Sequence, residues 1–208
     1  MLDYYTIAVI AILAAISPGP DFAVVAKNAI GHHRQAAVMT SLGIGGGILV
    51  HSTYCVLGLA VVISQSLLIF SIIKYIGAAY LIYLGVKSLF SKTDVPTTKT
   101  LPLKTENKTL SDWQAFKNGL LVNVLNPKCT LFMLSVFTVI VRPNTPMLVQ
   151  ASYGILIALI TAGWFVFLSI GLTHAVIKQK IEKVQHIVTK AIEVVLVGLG
   201  IFVIFESR

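Results

Sequence analysis

The stretch SPGPDF, Ser17 to Phe22, interrupts the first apolar run of the chain with two prolines, a glycine and a carboxylate. A proline inside a helix removes a hydrogen bond and clashes with the preceding turn. The run from about 4 to 29 therefore cannot form one regular helix, and its surroundings decide how the break is read. The chain of 208 residues is 56% hydrophobic and 12% charged, about half the charged share of a soluble domain. Gln35 to Ile73 is a run of 39 residues without Asp, Glu, Lys or Arg, and Pro143 to Ile177 is another of 35. Roughly 20 apolar residues cross a bilayer. Composition predicts an all-α membrane protein with several crossings.

Six apolar segments can be drawn, at about 4–29 (broken at 17–20), 36–63, 68–90, 112–140 (broken at 126–128), 147–177 and 184–206. They form one transmembrane domain over 1–208. Its first repeat covers 1–90, a polar linker with two prolines covers 91–111, and a second repeat covers 112–208. The N-terminus lacks the positive region of a secretory signal peptide and reads as the first segment itself. Lys and Arg set orientation. Twelve of them, from Lys27 and Arg34 to Lys190, flank the loops after segments one, three and five, against Arg142 and Arg208 on the other side. The linker is then cytoplasmic and the C-terminus outside. A first segment that re-enters would give five spans and move only the N-terminus.

The net charge of +8 sits in these short loops. No basic face with interleaved aromatics is present, so nucleic acid is excluded as a partner. The lipid bilayer is the expected surrounding.

The two halves share their punctuation. Each opens with a proline-broken segment, SPGP at 17–20 and NPK at 126–128. Each closes with a segment that begins at a lysine and runs to a glycine, from Lys74 and from Lys190. Three crossings per half make the repeats inverted, the plan of many secondary transporters.

Breaks in spanning helices free backbone groups that lipid cannot satisfy, and these are tolerated only where protein or a wet cavity reaches them. The freed N-terminus of a half-helix also suits a carboxylate ligand. Ser17, Pro18, Gly19 and Pro20, with Asn126, Pro127 and Lys128, are therefore candidates for a substrate site; simple kinks are the plainer reading. Asp21 can cap the next half-helix, carry a coupling proton or bind a substrate ammonium group. Lys128 can bind a substrate carboxylate, snorkel or pair with Asp21. Asn123 and Asn126 add neutral donors and acceptors. A plus-and-minus pair of Asp21 and Lys128 would fit an amino acid zwitterion.

Secondary candidates are His51, a core histidine or proton relay; Lys74, where snorkelling suffices; Tyr80; and Glu193, one turn after Lys190, a paired residue or a gate. Cys55 and Cys129 read as buried free thiols. GIGGG at Gly43–Gly47 contains GxxxG, which lets a helix approach closely within the bundle or in a homodimer. Motifs of metalloproteases, serine hydrolases and nucleotide enzymes are missing, so neither an enzyme nor a metal or other cofactor is expected.

The ordered set SPGPDF, the glycines before Val50–His51, GAAYLIYLG at Gly77–Gly85, GLLVNVLNPKCTLF at Gly119–Phe132 and GLGIFVI near the end resembles the LysE/Rht family of amino acid exporters over nearly the whole chain. The resemblance implies a six-helix inner-membrane carrier that exports an amino acid, driven by protons. PGPDF looks most like its threonine/homoserine efflux branch. Many relatives carry an aspartate where this chain has Ile48, which favours small neutral substrates over cationic ones. A related branch conducts electrons through a thiol pair near the two breaks. The first half has no such thiol, so a redox relay or enzyme, like a passive channel, stands as the alternative.

Overall fold

The computed structural model describes residues 2–17, 19–90, 110–172, 197, 198 and 201. Pro18, Lys190, Glu193, nearly all of the 91–111 linker and nearly all of segment six (184–206) lie outside the described residues. Of Lys74 only the backbone is described. The described residues form seven α-helices and no strand: α1 (Leu2–Ile16), α2 (Pro20–Gly31), α3 (Arg34–Gln65), α4 (Leu67–Phe90), α5 (Asp112–Val124), α6 (Pro127–Ile140) and α7 (Met147–Leu172).

The proline motifs split two segments into helix pairs. α1 stops before Ser17, and α2 starts with Pro20 at its first position, where the missing N–H costs nothing. The pair bends by 57°. The second break lies at Leu125–Asn126, a residue earlier than the NPK motif alone suggests. Asn126 caps α6 by accepting from the Lys128 N–H at 3.0 Å, and Pro127 again takes the first position. This pair bends by 62°. α5 begins with a reciprocal capping box between Ser111 and Gln114. α3 and α7 each provide a 26-residue apolar stretch, Arg34–Leu59 and Met147–Leu172, long enough to cross a membrane; each bent pair passes the same test as one broken span.

α3 and α7 pack antiparallel at the centre. Ser41 Oγ meets Ser169 Oγ at 2.9 Å, Gly45 faces Ala162, and Ser52 faces Gly154. α5 runs parallel to α3, from Gln35 Nε2, which donates to Asp112 Oδ2 at 2.5 Å, to Gly47 beside Asn123. Small residues make this approach close, as the GxxxG pattern predicts: a methyl on Gly43 would overlap the Phe116 carbonyl, and one on Gly119 the Thr40 carbonyl. The glycine face of α3 is thus filled by α5 within the chain.

α1 packs on α7 and α2 on α3, α7 and α5, while α5 packs on α3 and α6 on α4 and α3. Tyr4 on α1 meets Ser152 near the start of α7 at 2.7 Å, while Phe22 and Val25 on α2 share an apolar cluster with Phe165, Leu168 and Leu172 near its end. The first bent pair therefore runs the length of α7. A second cluster, around Ile48, Val56, Leu59, Met133, Phe137 and Ile157, fills the other half of the bundle. α3 contributes Ala37 and Ile44 to one cluster and Ile48 to Leu59 to the other. Between the two clusters the interior turns polar.

Candidate functional site

Gly47 stands at the middle of the apolar stretch Arg34–Leu59, and both helix breaks meet at its level. Asn123 lies in the last turn of α5 and is 0% exposed. Its side-chain oxygen sits against Gly47, where a Cβ would overlap it. With its oxygen turned into that notch, the amide points Nδ2 the other way and donates to Asp21 Oδ2 at 2.8 Å. The Cys129 thiol completes a triangle: Sγ is 3.4 Å from Asn123 Nδ2 and donates to Asp21 Oδ2 at 3.4 Å.

Asp21 occupies the first turn of α2 without capping it. The N-cap is Gly19, and no side chain caps this helix, whereas α6 has Asn126. The backbone N–H groups that open α2 are therefore the ones left for another acceptor. Lys128 arrives at this end from α6: its Nζ donates to Ser17 Oγ at 2.9 Å and would lie 3.9 Å from a Cβ on Gly19. It acts on the Asp21 carboxylate through charge. Among the described residues Asp21 Oδ1 is buried and makes no hydrogen bond, and the same holds for Asn123 Oδ1 in its glycine notch, while the Asn126 side chain also acts on the Asp21 carboxylate. A buried carboxylate oxygen with no donor is costly, and an incoming ammonium group would supply one.

The structure thus brings Ser17, Gly19, Pro20, Asp21, Asn123, Asn126, Pro127 and Lys128 to one place. His51 joins them from α3: its ring is fully buried, with Nε2 3.1 Å from the Asn123 carbonyl and Nδ1 bonded to the Tyr54 hydroxyl. Tyr80 on α4 is within electrostatic range of the Cys129 thiol and stacks at a tilt on Tyr83, with centroids 6.2 Å apart. Pro18 and Glu193 lie outside the described residues, as does the Lys74 side chain. Both cysteines are free, and Cys55 is buried in the larger apolar cluster. Cys129 is the residue that reading by composition missed. Its place directly after the NPK motif, one position into the half-helix from Lys128, was the available signal.

Chemically the arrangement offers one carboxylate, one ammonium group and an uncapped helix N-terminus within a bundle, with an amide and a thiol between the charges. That set matches the two charged ends of a zwitterion.

A protein-family model described as LysE type translocator matches residues 12–207. The chain is 34% identical over 200 residues to the uncharacterized membrane protein YrhP of Bacillus subtilis, covering 92% of this chain and 93% of the relative. It is 32% identical over 168 residues to a threonine efflux protein of Salmonella typhimurium, covering 79% of each. It is also 33% identical over 149 residues to a leucine efflux protein of Salmonella choleraesuis, covering 70% of this chain and 66% of the relative. No solved structure matches.

Proposed function

The chain belongs to the LysE-type translocators, and from that premise we propose that it is a secondary exporter of small neutral amino acids across the cytoplasmic membrane, coupled to protons. The observation that carries the reading is the meeting of the two helix breaks beside Gly47, where Asp21 Oδ1 is buried and makes no hydrogen bond among the described residues. The substrate ammonium group takes Asp21. Its carboxylate takes Lys128 and the uncapped N–H groups of α2. Protonation of Asp21 from the outside then weakens the ammonium contact and favours release on that side.

Two observations favour neutral substrates of the threonine, homoserine or leucine kind. Matched relatives are named for threonine and leucine efflux. Ile48, where a cation exporter could carry a further carboxylate, is buried in an apolar cluster.

The six-span inverted-repeat plan draws support from reciprocal packing. α5 packs on α3 as α1 packs on α7, and α3 and α7 pair with each other. The run of the first bent pair from Tyr4 at the start of α7 to Phe22 and Val25 near its end favours a broken span over a re-entrant loop. Lys27, Arg34 and Lys117 gather at the end of the bundle where α3 and α5 begin, and Arg142 lies at the other. This favours a cytoplasmic linker and an external C-terminus.

Efflux of a panel of labelled amino acids from preloaded vesicles tests the reading. Neutral amino acids should leave, and an uncoupler should stop them. Efflux that survives uncoupling would point to a channel, and efflux of lysine or arginine alone would overturn the substrate class.

A further inference from the structure

His51 is fully buried on α3, and the site just described uses none of its chemistry directly. Its Nε2 lies 3.1 Å from the Asn123 carbonyl oxygen. A carbonyl only accepts, so Nε2 carries a hydrogen and donates. Nδ1 is bonded to the Tyr54 hydroxyl, one turn further along α3. The two rings meet edge to face, with centroids 5.3 Å apart.

α3 therefore holds the end of α5 at the second break through the Asn123 carbonyl. The Asn123 carbonyl is one of the last four of α5, which a helix end leaves without intrahelical partners. The Leu125 and Asn126 N–H groups turn back to this carbonyl, the latter at 3.0 Å, and His51 adds a donor from another helix. The same Asn123 carries the side-chain amide that binds Asp21 and touches Cys129.

We propose that His51 is a positioning residue for the transport site: by binding the Asn123 backbone from α3 it fixes the amide that holds the Asp21 carboxylate. The inference rests on the reading of Asp21 and Asn123 as the transport site. It assigns the imidazole a fixed Nε2–H donor rather than a place in a proton path. The distinction has a consequence. A donor can be replaced by a glutamine, whose amide nitrogen sits at the same reach along the side chain, whereas a relay cannot.

Two readouts test this, in a Cys55→Ala background that leaves Cys129 as the one thiol. The first is the rate at which N-ethylmaleimide alkylates Cys129 in the purified protein, which reports the Asn123–Cys129–Asp21 geometry without reference to transport. The second is neutral amino acid efflux at matched membrane abundance. His51→Ala should change the alkylation rate and lower efflux by about tenfold each, the equivalent of one buried hydrogen bond. His51→Gln should restore both to near the parent value. Two results would overturn the proposal: His51→Ala matching the parent in alkylation, or His51→Gln as impaired as His51→Ala. Should His51→Ala fail to reach the membrane, inserted His51→Gln alone decides: parent-like values support the positioning role and impaired ones refute it. Altered alkylation with unchanged efflux would uphold the link from His51 to Asn123 and overturn the site reading beneath it.

Discussion

Asn123 Nδ2 donates to Asp21 Oδ2 at 2.8 Å, a bond between two helix breaks 102 residues apart in the chain. Each partner owes its position to a local break. Pro20 starts α2 one residue before Asp21, and the end of α5 after Asn123 leaves its carbonyl within reach of His51. Removing the amide leaves a buried carboxylate short of a donor, worth about 1.5–3 kcal/mol for a hydrogen bond to a charged group. Asn123→Ala should therefore slow amino acid efflux by roughly 10- to 100-fold on the same scale, measured in vesicles at equal abundance. A parent-like rate would mean that the bond plays no part in transport.

The glycine seam makes a separate prediction about assembly. A methyl at Gly43 or Gly119 would strike backbone on the facing helix, which cannot give way, whereas Gly58 and Gly163 have open space. Gly43→Ala and Gly119→Ala should each destabilise the bundle by about 1–3 kcal/mol, the usual cost of overpacking. Gly58→Ala and Gly163→Ala should be neutral or slightly stabilising, since alanine is the better helix former. Thermal unfolding in detergent checks the contrast.

At Gly47 the overlap is with the Asn123 side chain, so the effect should fall on the site more than on the fold. Gly47→Ala should displace the amide and weaken substrate binding with a smaller loss of thermal stability than Gly43→Ala. Equal losses of stability with unchanged affinity would refute the role of the notch.

The thiols should differ. Cys55 lies in apolar packing, and Cys129 donates to Asp21. Serine keeps a donor at position 129 and valine does not. Cys129→Ser should retain most efflux, Cys129→Val should lose much of it, and Cys55→Ala should behave as the parent. Equal activity of the serine and valine variants would remove Cys129 from the site.

Much of this was legible in the sequence. Prolines and apolar runs marked the two broken segments because proline chemistry acts locally and bilayer thickness fixes length. The substrate candidates around SPGPDF and NPK meet in space. What stayed hidden were the pairings. The sequence leaves Asp21 open as a helix cap, a proton or ammonium site, or a partner of Lys128; in the fold its Oδ2 takes the Asn123 amide and the Cys129 thiol, while Lys128 donates to Ser17 and acts on the carboxylate through charge. Such choices depend on how two bent helices dock, which local patterns do not encode. The notch at Gly47 and the bond from His51 to the Asn123 backbone are likewise products of the α3–α5 contact. GxxxG announced that a helix would come close, without saying which one or where its asparagine would fall.

The central claim is that the two breaks form one amino acid site in which Asp21 couples to protons and Lys128 holds the substrate carboxylate. The most direct measurement is substrate affinity alongside proton-driven efflux in vesicles of the purified protein, for Asp21→Asn and Lys128→Ala. Asp21→Asn should abolish proton-driven efflux while lowering affinity less. Lys128→Ala should weaken binding itself, by about tenfold or more for a lost charge-assisted hydrogen bond. Parent-like affinity and efflux in both variants would contradict it: the breaks would then be kinks, and the amino acid would bind elsewhere.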